Sequence, residues 1–212
     1  MILGNPSTWV ESFQDINIQL VEIIKDVWPS CANRFNSKSK ENKITDQLAL
    51  TLQRHPYSRK RWLIEPQHKL LDSDTHGDVV TKGFIDFALF FTLDQETYIA
   101  YECKRLNVQF PSGSQTLADK YVDEGMMRYV SAQYAQDLPF GVMIGYVLDS
   151  DILKAVDAVK QQIKKKTGKL LCPMPTDLPA NSFIHRFSTV HNRPTQKIEI
   201  EHLLLPLQPC LH

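Results

Sequence analysis

The chain has 212 residues, and its 24 lysines and arginines balance its 24 aspartates and glutamates, leaving a formal net charge of zero. That length suits one domain with a sizeable core, residues 1–212, and the zero balance excludes a protein that holds nucleic acid through bulk positive charge. No apolar run approaches the roughly 18 residues of a membrane span, which excludes membrane-spanning helices. Cys31, Cys103, Cys172 and Cys210 are scattered, with no C-x-x-C pair, and read as reduced thiols. The stretch MILGNPSTWVESF has no basic segment followed by an apolar one, so the expectation is a cytoplasmic protein without a secretory leader.

Residues 8–28 carry Trp9, Phe13, Ile16, Leu20, Ile24 and Val27 at helical spacing, with Ser7 or Thr8 as a cap and Pro29 as the end. CANRFNSKSK reads as a basic loop. A second helix is predicted over 40–54, with Ile44, Leu48 and Leu52 on one face. RWLIEPQHKLL is strand-like and is followed by a polar turn, DSDTHGD. Two strands, 84–92 and 97–105, are joined by LDQE, short enough for an antiparallel hairpin turning near Asp94 and Gln95. An aromatic-rich helix is predicted over 116–136, then a buried strand, FGVMIGYVL, then an amphipathic helix, DILKAVDAVKQQIKKKTG, stopped by its glycine. FIHRFSTV and KIEIEHLLL form a closing strand pair around HNRPTQ. The order predicts a mixed α/β fold in which helices flank a sheet, with a core over about 40–150 and a C-terminal helix and strand pair over 150–207.

Charge placement inside the strands points to chemistry. Asp86 interrupts the apolar run GFIDFALFF, while Glu102 and Lys104 stand two residues apart in the next strand. Buried ionisable groups cost several kcal/mol unless paired or coordinated. Glu102 and Lys104 share a face by strand alternation, and either even register of the hairpin brings Asp86 to that face. Two carboxylates so close repel, unless a cation such as magnesium lies between them. Such an ion activates water at a phosphodiester, and a neighbouring lysine orients that water and offsets developing charge. Glu41 precedes Ile44 and Leu48 on the buried stripe of its helix, so it is expected to point inward, although a first-turn glutamate complementing the helix dipole is the plainer alternative.

In order and strand context, Glu41, Ile85-Asp86 and Glu102-Cys103-Lys104 resemble the PD-(D/E)xK phosphodiesterases, the restriction-endonuclease-like nucleases. Ile85 stands at the family's nominal proline. The resemblance implies a mixed central β-sheet flanked by α-helices, and a Mg2+ site (Mn2+ as substitute) formed by Asp86, Glu102 and the backbone carbonyl of Cys103. It places Glu41 at the edge of that site and makes Lys104 the catalytic lysine. It implies a nuclease cutting DNA in preference to RNA, similar to parts of bacterial restriction or anti-phage systems. The alternative is a non-catalytic scaffold or nucleic-acid-binding subunit with the same fold.

Other charged residues have two readings each. Lys120, Glu124 and Arg128, four residues apart, make either a surface ion-pair stripe or, through Arg128 and Lys120, a phosphate contact. RHPYSRKRW offers Arg59, Lys60 and Arg61 among aromatics, as nucleic-acid surfaces do, or is a solvated loop. His185, His191 and His202 lack paired zinc spacing and read as polar strand residues, and the lysines of KKKTG need no role beyond the helix C-terminus. Because the basic clusters are short, efficient action is expected of a homodimer or with a partner subunit, docking through Trp9, Trp28 and the strand HLLLPL.

Overall fold

The computed structural model describes residues 6–92, 97–170, 175–179 and 183–208, with side chains from residue 10 onward. Its centre is a seven-stranded mixed sheet in the order β1-β2-β3-β6-β9-β8-β7. β1 (Leu63–Ser73), β2 (Val79–Phe90) and β3 (Tyr98–Leu106) form an antiparallel meander. β4 (Val108–Phe110) and β5 (Gly113–Gln115) form a separate small hairpin. β6 (Phe140–Val147) runs parallel to both β3 and β9 (Lys197–Pro206). β8 (His185–Asn192) and β7 (Thr176–Asp177) complete the antiparallel far edge. All eight residues of β6 are buried, as expected of a strand covered on both faces, and its FGVMIGYV sequence accordingly shows no polar alternation. The turn expected at Asp94 and Gln95 lies outside the described residues.

One face of the sheet carries α1 (Pro6–Ala32) and α2 (Glu41–Arg54). Phe13, Leu20, Ile24 and Trp28 of α1 are fully buried at helical spacing, and Asn17 donates to Glu201 at 2.8 Å. α1 continues through Pro29 to Ala32, where the sequence had placed an end. The proline forfeits one hydrogen bond, and the buried Trp28, Cys31 and Ala32 hold the last turn. Trp28 stacks on Tyr146 and donates from its indole to the Pro206 carbonyl at 2.7 Å. The proposed docking surface is thereby corrected: Trp28 and Leu203, Leu204 and Leu205 of HLLLPL are core residues of this chain. The side chain of Trp9 lies outside those described.

The other face carries the helical segment 118–130, shorter than the predicted 116–136. It consists of α3 (Ala118–Lys120), a π-helical turn (Tyr121–Met126) and α4 (Met127–Val130). Left-handed backbone at Leu117 bounds it on one side, and at Ala132 and Ala135 the chain beyond Val130 leaves the helical path. Tyr129 clamps the sheet beneath, its one hydroxyl proton shared between the carbonyls of Ala100 and Val142, both 2.9 Å away. α5 (Ile152–Lys165) begins with Asp151, whose carboxylate accepts from Lys154 N–H. It does not stop at the glycine; a short α6 (Thr167–Leu170) follows and contains Gly168.

At the far edge, His191 and His202 are fully buried in a relay of hydrogen bonds. His191 Nδ1 donates to the Leu170 carbonyl at 2.6 Å. A carbonyl can only accept, so every later link is fixed: Thr189 donates to His191 Nε2, His202 Nε2 donates to Thr189, and Tyr121 donates to His202 Nδ1. Both rings stay neutral, as polar strand residues rather than zinc ligands, and burial lowers both of their pKa values. Cys172 and Cys210 lie outside the described residues.

Two glycines test the packing. A Cβ at Gly141 would overlap the Tyr129 ring, which its two carbonyl bonds prevent from moving aside, whereas a Cβ at Gly168 meets nothing within 4 Å. Gly141→Ala is expected to cost about 1–3 kcal/mol, visible as a lowered thermal midpoint. Gly168→Ala is expected to leave stability unchanged or raise it by up to about 1 kcal/mol.

Candidate active site

The antiparallel ladder between β2 and β3 runs from Phe90↔Tyr98 to Phe87↔Tyr101 and ends there. One further step would set Asp86 opposite Glu102, but the strands part, and the edge of β3 facing β2 is left with unpaired backbone groups. Buried N–H groups need partners. Two carboxylates supply them: Cys103 N–H donates to Asp86 Oδ2 at 2.7 Å, and Arg105 N–H donates to Glu41 Oε2 at 2.9 Å. Glu41 is the first residue of α2, so the start of that helix reaches the same edge. Arg105 adds a bond from its guanidinium to the Ser39 carbonyl at 3.2 Å, fixing the chain just before α2.

Lys104 stands at the centre. Its Nζ donates to Glu102 Oε1 at 2.6 Å, to the Cys103 carbonyl at 3.0 Å and to Glu41 Oε1 at 3.4 Å. Glu102 is fully buried, and its second oxygen, Oε2, accepts from Arg128 Nη1 at 3.1 Å. Arg128 also donates to the Tyr134 hydroxyl, which in turn donates to the Phe84 carbonyl of β2. The close approach of the π-helical turn depends on Gly125, where a Cβ would crowd Met143 and lie 3.6 Å from the Lys104 stem. Such turns often mark functional sites, and this one aims Arg128 at the sheet.

Glu41, Asp86, Glu102, Lys104 and Arg128 are therefore gathered at one place. Lys120 and Glu124, which sequence spacing had set in a row with Arg128, are exposed and stand outside it. Arg59, Lys60 and Arg61 lie beyond the opposite end of α2 from Glu41, about 20 Å of helix away. There Arg61 stacks on Tyr57, with its guanidinium carbon 3.9 Å from the ring centre. Lys166 and Lys169, given no role in the sequence, hold Asp123 on the exposed side of the π-helical turn. Tyr134 was not foreseen as a site residue. The one available signal for the close approach was Gly125, a helix-weakening residue inside an aromatic helix.

Burial, and next the neighbouring Asp86, push the Glu102 carboxyl from its ordinary 4.5 up to about 7, against the opposing pull of Lys104 and Arg128. Asp86 is also raised, chiefly by burial, with Lys104 and its bond from Cys103 N–H opposing. For Lys104, burial favours the neutral amine, but Glu102 and Glu41 outweigh it and raise the pKa, so the ammonium stays charged.

No protein-family model, curated protein or solved structure matches this chain.

Among the described residues, no group of three or more His, Cys, Asp and Glu side chains converges on a metal-sized point. The bonds already described account for that: Asp86 and Glu41 turn oxygens to backbone N–H groups, and both oxygens of Glu102 meet cations. The donor chemistry nevertheless fits a hard divalent ion, because the carboxylates of Asp86 and Glu102 and the Cys103 carbonyl, all oxygen donors, meet at this one stretch of β3. Asp86, Glu102 and the Cys103 carbonyl would hold such an ion, with Glu41 at the edge.

The raised pKa of Glu102 has a definite sign in stability. A carboxyl whose pKa is higher in the folded state stabilises the fold fully below its unfolded value of 4.5, and that stabilisation is lost as pH rises through about 7. Glu102→Gln, which mimics the protonated form, is expected to match the wild type near pH 5 and to exceed it near pH 8 by up to about 3 kcal/mol. Urea unfolding of both proteins at the two pH values checks this.

Proposed function

We propose that this chain is a metal-dependent nuclease of restriction-endonuclease-like fold, hydrolysing phosphodiester bonds in DNA rather than RNA. The observation that carries the reading is the gathering of Asp86 at Cys103 N–H and of Glu41 and Glu102 at Lys104, at the point where β3 parts from β2. When bound, a divalent ion supplies Lewis acidity and lowers the pKa of a coordinated water. The remaining work belongs to the chain. Asp86 and Glu102 provide the oxygen ligands, and the backbone bonds to Asp86 and Glu41 hold those carboxylates in place. Lys104, kept charged by its neighbours, donates to the attacking water and to the negative charge that grows on the phosphoryl oxygens. Arg128 contacts a substrate phosphate.

Among the described residues no helix is long and apolar enough to cross a membrane. The exposed apolar residues Leu71, Val79, Val80 and Phe84 lie on β1 and β2. With zero net charge, the chain is proposed to depend on a second copy or a partner subunit for tight target binding.

One feature favours a second reading. Because both oxygens of Glu102 are already neutralised, the same cluster would serve a non-catalytic subunit as a static ion network. Incubation with plasmid, single-stranded DNA and RNA, in Mg2+, Mn2+ or chelator, separates the two. Cleavage of DNA is expected with either metal and not with chelator. Lys104→Ala is expected to reduce it at least about a hundredfold while leaving the fold intact. Absence of cleavage in every buffer would remove the nuclease reading, metal-independent cleavage would remove the metal from it, and equal cleavage by that variant would remove Lys104 from the catalysis.

A further inference from the structure

Glu102 is completely buried, yet Arg128, which caps its Oε2 at 3.1 Å, keeps a third of its side chain exposed, 34% against 11% for Lys104. The guanidinium therefore occupies the solvent side of the carboxylate, and Lys104 the inner side. A carboxylate oxygen bonded to a guanidinium cannot give the same lone pair to a metal, and two cations at that spot repel. Arg128 is also held so that it can exchange partners. Its backbone carbonyl accepts from Tyr134 N–H at 2.9 Å, and its guanidinium lies over the Tyr134 ring, 5.3 Å from the centroid. Tyr134 is itself anchored to β2 through the Phe84 carbonyl. The stem is thus fixed at its root while the partly exposed charged end reaches Glu102 and the Tyr134 hydroxyl. A guanidinium pairs with phosphate as well as with carboxylate, and often through two parallel bonds.

We propose that Arg128 is an exchangeable cap on Glu102, bound to the carboxylate in the free protein and transferring to a phosphate of the nucleic acid when substrate arrives, which releases Glu102 Oε2 for a divalent cation. This rests on the nuclease reading and adds to it a coupling: nucleic acid and metal each strengthen the binding of the other, and Arg128 carries that coupling. Reciprocity follows, since any factor by which DNA tightens metal binding is the factor by which metal tightens DNA binding. Tyr134 is the positioning residue, because it decides where the guanidinium rests when no phosphate is present.

The test is a calorimetric titration of the full chain with Ca2+, a hard cation of the same oxygen preference. It is run with and without a short DNA duplex, on the wild type and on Arg128→Met, which keeps the aliphatic stem, with circular dichroism to check the fold. In the wild type the duplex is expected to tighten Ca2+ binding by about 5- to 100-fold. Arg128→Met is expected to bind Ca2+ more tightly than the wild type when DNA is absent, and to show no further gain when it is added. Tyr134→Phe, which removes the hydroxyl acceptor of Arg128, is expected to lie between the two and serves in place of Arg128→Met if that variant does not fold. Weaker or unchanged Ca2+ binding by the variants, persistence of the full DNA effect in them, or no DNA effect in the wild type overturns the exchange and leaves the metal site standing. Absence of Ca2+ and Mg2+ binding in every protein overturns both the exchange and the metal-dependent reading.

Discussion

The site depends on the parting of β2 from β3 after Phe87 and Tyr101. A continuous ladder would have paired Cys103 and Arg105 with backbone carbonyls and left no place for acidic side chains between the strands. Once the strands diverge, the N–H groups of those two residues require acceptors, and Asp86 and Glu41 provide them. The same backbone demand therefore draws two carboxylates from different elements to one edge. Glu102 and Lys104 reach it because they occupy alternate positions on β3. Backbone hydrogen bonding holds Asp86 and Glu41 at this edge, close beside the buried Glu102 and Lys104.

The surrounding structure makes that arrangement rigid. β6 runs beside β3, buried on both faces, and Tyr129 bridges Ala100 and Val142 across the two strands. On the opposite face Cys103 accepts from the Tyr146 hydroxyl, which also bonds Thr45 of α2. Tyr146 stacks on Trp28 of α1. A displacement of α2, which carries Glu41, would therefore have to break contacts running from the site through Tyr146 to the first helix.

Much of this was legible in the sequence for reasons of period. Alternation along β3 placed Glu102 and Lys104 on one face, and the helical stripe ahead of Ile44 and Leu48 placed Glu41 inward. The misses arise where local preference and long-range packing disagree. Pro29 ordinarily ends a helix, but Trp28 is anchored to Pro206, 178 residues away, and no local pattern reports that bond. Ala132 and Ala135 favour helix by propensity yet take left-handed backbone, in the turn that delivers Tyr134 to Arg128. Trp28 and HLLLPL looked like surfaces for a partner because each is strongly apolar; both are buried in this chain's own core, joined by the bond from Trp28 to the Pro206 carbonyl. Arg128 was visible as a charge on a helix, whereas its contact with Glu102 depends on the π-helical turn, which the sequence disguises as regular spacing.

The relay from Tyr121 through His202, Thr189 and His191 to the Leu170 carbonyl gives the sheet an acid–base asymmetry. Its histidines are buried neutral, so the stability they lend is present above their ordinary value of 6.5 and falls away as protons are added. Asp86 and Glu102 respond in the opposite sense, because burial favours their protonated forms. Tyr121, at one end of the relay, begins the π-helical turn that leads toward Arg128, so the two regions are joined by one short stretch of helix. Acidification thus loosens the histidine relay while consolidating the carboxylates beside β2 and β3, so that stretch joins two regions of opposite proton response.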